Sequence, residues 1–254
     1  MIGKTNLKVF IYEPDVYARY AINSYLAWDR RTRVVGMFES TERLFEWLAS
    51  HAEIEWPNFV LLGTLHYPTK ERLTGLIRRI KETIQNISVL VLSHEADPEL
   101  ALAAYHEGAR GLFFRNDVGI PIAWATVWAQ AQPFSVSKTV YDNMTSEQRG
   151  QFKSLAVLPS RRQYPELTDR IRQAIQLCVV EGMSADLAAD EMGVSVHTIR
   201  SYIKEGYRIL ESYDADLEFP TGMSAQERAF MRFTALDEHT DLDDNYQDLA
   251  QDEE

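Results

Sequence analysis

Five short apolar runs punctuate the first half of the chain, at 8–12 (KVFIY), 33–38 (RVVGMF), 59–65 (FVLLGTL), 87–93 (ISVLVLS) and 111–115 (GLFFR). Each is nearly all apolar, as a strand buried on both faces must be. Between and after them, at 15–28, 41–50, 70–85, 98–107 and 120–130, apolar residues recur every three or four positions, which predicts helices. Strands alternating with helices, joined by right-handed crossovers, predict an α/β domain over 1–131. Its architecture is expected to be a flavodoxin-like, doubly wound, five-stranded parallel sheet.

The pattern changes in the second half. Residues 132–165 mix polar and apolar positions, with a possible helix near 138–144, and end in PSRRQYP; they read as a linker. From 166 to 211 the period is helical throughout, predicting an all-α helix-turn-helix domain. Thr168 can cap a helix over 167–182, whose apolar stripe is Ile171, Ile175 and Cys178. Ser184 can cap a second helix, with Asp186 in its first turn where the helix dipole favours an anion. Gly193 falls where that helix must stop with φ > 0, and Ser195 can cap a third. Residues 224–236 suggest one more amphipathic helix, within an extra segment at 212–236.

The third helix carries the candidate chemistry. Ile199, Ile203, Gly206 and Leu210 form an apolar seat, while His197, Arg200, Ser201, Lys204 and Arg208 occupy the opposite side and Thr198 lies in the first turn. A helix in the major groove needs such a ridge: cations for phosphate, and Arg, Ser or Thr for base edges. An ordinary amphipathic hairpin with a solvated face gives the same local pattern. Arg161 and Arg162 are candidates for a phosphate contact beside the ridge, or plain loop residues.

Charge changes the picture in one respect. The 254 residues carry a net charge of −12, which argues against indiscriminate nucleic-acid binding. Much of the excess lies in the 237–254 tail, acidic and expected to be disordered, from Asp237 to Glu254 without a Lys or Arg. Binding to duplex DNA is therefore expected to rest on a local ridge and on dimerisation. The tail is a candidate competitor for that ridge. The single cysteine, Cys178, sits on an apolar helix face and excludes a disulfide framework within the chain. No apolar run is long enough to span a membrane and no signal-peptide pattern opens the chain, so a cytoplasmic location is expected. The six histidines are scattered, and no nucleophile–base pair, metal-ligand spacing or Gly-rich phosphate loop is present, so neither an enzyme nor a cofactor or metal is expected.

Two resemblances add to this reading. Leu167, Thr168, Arg170, Gly182, Ser184, Leu187, Ala188, Met192, Val194, Ser195, Thr198, Ile199, Arg200 and Tyr202 resemble the LuxR/NarL-type DNA-binding domain; a sigma-factor promoter-reading domain has a similar hairpin. The chain departs from the LuxR/NarL pattern at Ile171 and at Gly206. The first half resembles a response-regulator receiver domain, through PNFVLLGTL, ISVLVLS and HEGARGLFFRND. That resemblance implies a pocket of Glu13, Asp15, Gly63, Ser93 and Arg115. The family's phosphoacceptor Asp is here Gly63, and its acidic metal-binding pair is reduced to Glu13 followed by Pro14. Its Lys is Arg115; only the switch hydroxyl, Ser93, is kept. The implied protein is a phosphorylation-independent, DNA-binding transcriptional regulator acting as a homodimer. Glu13 and Arg115 are expected to pair across the vacant acceptor position. A rival reading keeps Thr64 or Asp15 as a displaced acceptor. The alternative function is an interaction protein that binds another regulator or RNA polymerase with weak direct DNA contact. Of Trp124 and Trp128, one is expected to pack on the sheet and the other to face a partner.

Overall fold

The computed structural model describes residues 6–64, 70–213, 219–220 and 222–237. The chain divides into two compact units, with the boundary between Ser160 and Arg161. The acidic tail beyond Asp237 lies outside the described residues.

The first unit is a parallel sheet with helices on both faces. In chain order it comprises β1 (Leu7–Tyr12), α1 (Val16–Ala27), β2 (Thr32–Phe38), α2 (Thr41–Ser50), β3 (Phe59–Gly63) and α3 (Lys70–Thr83). These are followed by β4 (Ser88–Ser93), α4 (Pro98–His106), β5 (Gly111–Phe114), α5 (Arg115–Val118) and α6 (Ile122–Ala131). The spatial order β2-β1-β3-β4-β5 is continued beyond β5 by two further strands, so the sheet has seven strands where five were expected. The additional strands, β6 (Ser135–Val136) and β7 (Ala156–Val157), come from the stretch read as a linker, with α7 (Lys138–Asp142) and α8 (Ser146–Arg149) between them.

Apolar anchors explain the extension. Phe134, Val136, Val140, Met144 and Phe152 join the same core as β1, β3 and β4. Phe134 stacks on Phe152 at 5.3 Å between ring centroids. Polar contacts also tie this segment to α4 and the loop before it: Asn143 Nδ2 donates to the Ala96 carbonyl and Gln148 Nε2 to Glu99. The outer edge of β5 is thereby covered by the chain itself.

Along β1, β3 and β4, Phe10, Tyr12, Val60, Leu62, Val89 and Val91 pack with residues of α2, α3 and α4. The alternate positions, among them Val9, Ile11, Leu61 and Leu90, are buried as well, which accounts for the unbroken apolar runs. Trp124 of α6 is buried with the Arg31 guanidinium 4.0 Å from its ring centre, and Trp128 is half-buried.

The second unit holds α9 (Asp169–Ile175), continued by a π-helical turn over Gln176–Val180, then α10 (Ala185–Met192), α11 (Val196–Ser212) and α12 (Ala225–Phe233). Short polar residues start each helix: Thr168, Ser184, Ser195 and Ser224 all accept a backbone N–H from the first turn. Gly193 ends α10 in the left-handed region, at φ 63°. Gly206 has a steric reason. A Cβ there would lie 2.7 Å from both Cγ1 and Cδ1 of Ile175, so α9 crosses α11 at a distance only glycine allows. Gly206→Val is expected to destabilise this unit by about 1–3 kcal/mol through overpacking, with partial recovery when Ile175 is cut to Ala. Thermal melting of the single and double variants checks it. Among the described residues, no helix is long and apolar enough to cross a membrane.

Candidate nucleic-acid interface and strand-end pocket

On α11 the apolar seat is buried: Ile199 and Leu210 are fully covered, with Ile209 beside them, and Ile203 packs at the margin. The opposite side is exposed. His197, Ser201, Lys204 and Arg208 follow one another at i, i+4, i+7 and i+11, one straight stripe, with Arg200 on its flank. All five side chains are exposed, whereas Thr198 is half-buried.

Their hydrogen bonds separate the six candidates. Thr198 Oγ1 is hydrogen-bonded to the capping Ser195 Oγ at 2.8 Å, so it belongs to the helix start. Ser201 Oγ donates to the His197 carbonyl at 3.0 Å, leaving its lone pairs for an incoming donor. Arg208 is engaged twice by Glu205, through Nε at 3.0 Å and Nη2 at 2.6 Å. That fork holds the Glu205 carboxyl below its ordinary range and pushes the Arg208 guanidinium up. Among the described residues, neither Arg200 nor Lys204 makes an ion pair. Glu205 was overlooked in the sequence, although its spacing of three from Arg208 is an ion-pairing distance on a helix.

Arg161 and Arg162 do not extend this ridge. Arg161 lies over the Phe233 ring at 4.9 Å and bridges to Leu236, and the Arg162 N–H donates to the Ala235 carbonyl. Burial, and then the nearby Arg172, lower the basicity of Arg161. Both residues are built into the packing around α12.

The carboxyl ends of β1, β3, β4 and β5 lie side by side in the first unit. Arg115, just after β5, donates through Nη2 to Oε2 of Glu13, just after β1. Glu13 is fully buried; it accepts a second bond, from the Asp15 N–H at 2.9 Å. Burial pushes the Arg115 guanidinium down to about 10, still charged at neutral pH. The ion pair fills the space beside Gly63. A Cβ on Gly63 would lie 2.7 Å from Arg115 Nη2 and nearer still to Glu13 Oε2.

The remaining pocket residues have structural partners. Asp15 caps α1, accepting the Ala18 N–H at 2.7 Å. Thr64 Oγ1 accepts the His94 N–H at 3.3 Å, and buried Ser93 Oγ accepts the Glu95 N–H at 3.1 Å. Next to Arg115 lies a cleft of about 290 Å³ walled by Ile22, Tyr25, Leu92, Val118 and Ile122. Its apolar lining offers no carboxylate to a metal or a phosphoryl group.

Residues 161–210 match the family Sigma-70, region 4. The match begins at the boundary between the two units and ends within α11. No curated protein matches the chain. Solved structures similar to it include RcsB from Salmonella enterica serovar Typhimurium bound to promoter P1flhDC in the presence of phosphomimetic BeF3-. That similarity has 17% identity and a TM-score of 0.47, covering 90% of this chain and 99% of that one. The isolated REC domain of the same Salmonella protein is 19% identical, with a TM-score of 0.47, covering 56% of this chain and 100% of that one. A response regulator from Thermotoga maritima is 21% identical, with a TM-score of 0.36, covering 42% and 82% respectively. Likeness at this level carries no statement about activity.

Proposed function

We propose that the chain is a sequence-specific, duplex-DNA-binding regulator of transcription whose α/β unit works without phosphorylation, acting as a homodimer. The observation that carries this reading is the exposed stripe on α11. A capped three-helix unit seats one face of that helix in its core and presents His197, Arg200, Ser201 and Lys204 on the other. Cations at the edge of a protruding helix, with a hydroxyl between them, suit phosphate contact and base reading in one groove. The resemblance to LuxR/NarL-type domains points the same way. A homodimer would set two such helices on adjacent half-sites. Phosphorylation independence is supported by Gly63, and by the Glu13–Arg115 pair in the space an acceptor side chain would need.

The interaction-protein reading keeps one specific support: Glu205 neutralises part of the ridge. Selection of bound sequences from a random duplex pool by the purified protein decides between them. Recovery of a defined site supports the regulator; no enrichment rejects it. On such a site, Lys204→Ala is expected to weaken all sequences alike, as a phosphate contact does. Arg200→Ala is expected to cost about 1–3 kcal/mol and to relax the preference at one base pair. Titration of the variants against the selected site and its single-base variants measures both.

A further inference from the structure

We propose that Glu205 sets how much of the cationic stripe meets DNA: by holding Arg208, it confines contact to the first half of α11 and suppresses binding to unrelated sequence. The inference rests on the DNA-binding reading above and adds a determinant of selectivity to it. Three observations support it. Arg208 is the last member of the stripe, one turn beyond Lys204, and both its Nε and Nη2 are turned onto the Glu205 carboxylate. Glu205 and Arg208 border the same surface groove as Arg200, Ser201 and Lys204, so the carboxylate stands beside the surface a polyanion would approach. The other acid of that groove, Glu211, reaches instead toward Arg232 of α12, at 3.9 Å, which leaves Glu205 as the acid that engages the stripe.

The pair itself is exposed and weak, as surface ion pairs are. Its effect comes from what it sets against a duplex. Arg208 can neutralise a phosphate only by giving up its partner, and Glu205 then faces the polyanion uncompensated. Non-specific affinity is almost wholly electrostatic, so one withheld cation and one added anion weaken it most. A specific site retains the base contacts of the first half of the helix, so the ratio of specific to non-specific binding rises.

The test is a salt titration of the full chain on a labelled pool of random-sequence duplex, with wild type, Glu205→Gln, Arg208→Ala, the double variant and Lys204→Ala. Glu205→Gln keeps the size of the side chain and removes its charge. It is expected to tighten binding several-fold at low salt and to steepen the logarithmic salt slope by about 0.9, the value for one more phosphate neutralised. Arg208→Ala is expected to weaken wild-type binding, because it leaves Glu205 uncompensated beside the duplex, and to abolish the gain in the Glu205→Gln background, so that the double variant binds like wild type. The proposal is overturned if Glu205→Gln leaves affinity and slope unchanged, or if the double variant keeps the gain of Glu205→Gln. Either result, with duplex binding that still depends on Lys204, leaves the DNA-binding reading standing. Absence of duplex binding by the wild type rejects both.

Discussion

Replacing Arg115 with Met is expected to destabilise the α/β unit by about 3–5 kcal/mol, the range for breaking a buried ion pair by removing one partner. Glu13 has no exposed surface, and after the change its carboxylate would keep a single backbone N–H, from Asp15. An uncompensated buried carboxylate costs more than the lost attraction, because its hydration was given up on folding. The converse change, Glu13→Leu, is expected to cost less: the Arg115 side chain is 18% exposed and can turn toward water. Replacing both residues by apolar side chains should recover much of the loss. The pH dependence has a definite sign. Without its cation, the Glu13 carboxyl binds its proton more tightly folded than unfolded. The penalty is therefore complete above the raised folded value, shrinks as pH falls toward the unfolded value of about 4.3, and is gone below it. Urea unfolding of the three variants at neutral and acid pH measures these differences. Equal stability of Arg115→Met and wild type at neutral pH would show that the pair contributes nothing to the fold.

What could be read before the fold was known follows the range over which each feature is determined. Caps are local. Ser184, Gly193 and Ser195 act within four residues of themselves, so the hairpin of α10 and α11 was visible from spacing alone. The five long strands were visible because a parallel sheet covered on both faces demands unbroken apolar runs. By contrast, β6 and β7 have two residues each, too few for any period to show. What places them is the packing of Phe134 on Phe152 and Tyr105, side chains far apart in sequence. Gly206 stood out in the sequence as a departure from the LuxR/NarL pattern, and its reason lies in Ile175 of another helix, packed against it. Arg208 shows the limit of spacing rules. Both Glu205 and Glu211 lie three positions away, and only the structure shows which one it takes. The stripe was legible residue by residue, while its division into exposed, capping and paired members was not.

Placing an aspartate at position 63 is expected to create no phosphoacceptor and to destabilise the α/β unit by about 4 kcal/mol or more. The first Cβ alone would press on Arg115 Nη2 and Glu13 Oε2, and neither is free to withdraw cheaply, because each is the other's partner. Overpacking of this kind costs about 1–3 kcal/mol before any charge is considered. The new carboxylate would then stand beside Glu13 with one guanidinium between them, a buried net negative charge that adds several kcal/mol. Phosphoryl transfer to a carboxylate needs metal and positioned cations around the acceptor. Here Asp15, the acid that could assist Glu13, is committed to capping α1, and Arg115 is committed to Glu13. Gly63→Asp treated with a small-molecule phosphodonor and Mg²⁺ should therefore incorporate no phosphate, by intact mass. Gly63→Ala, which adds the steric part without the charge, separates the two contributions in thermal melting. A phosphorylated Gly63→Asp protein of wild-type stability would mean that the ion pair yields its place readily. The α/β unit would then be one substitution from a working phosphate switch, and the proposed independence from phosphorylation would rest on the missing side chain alone.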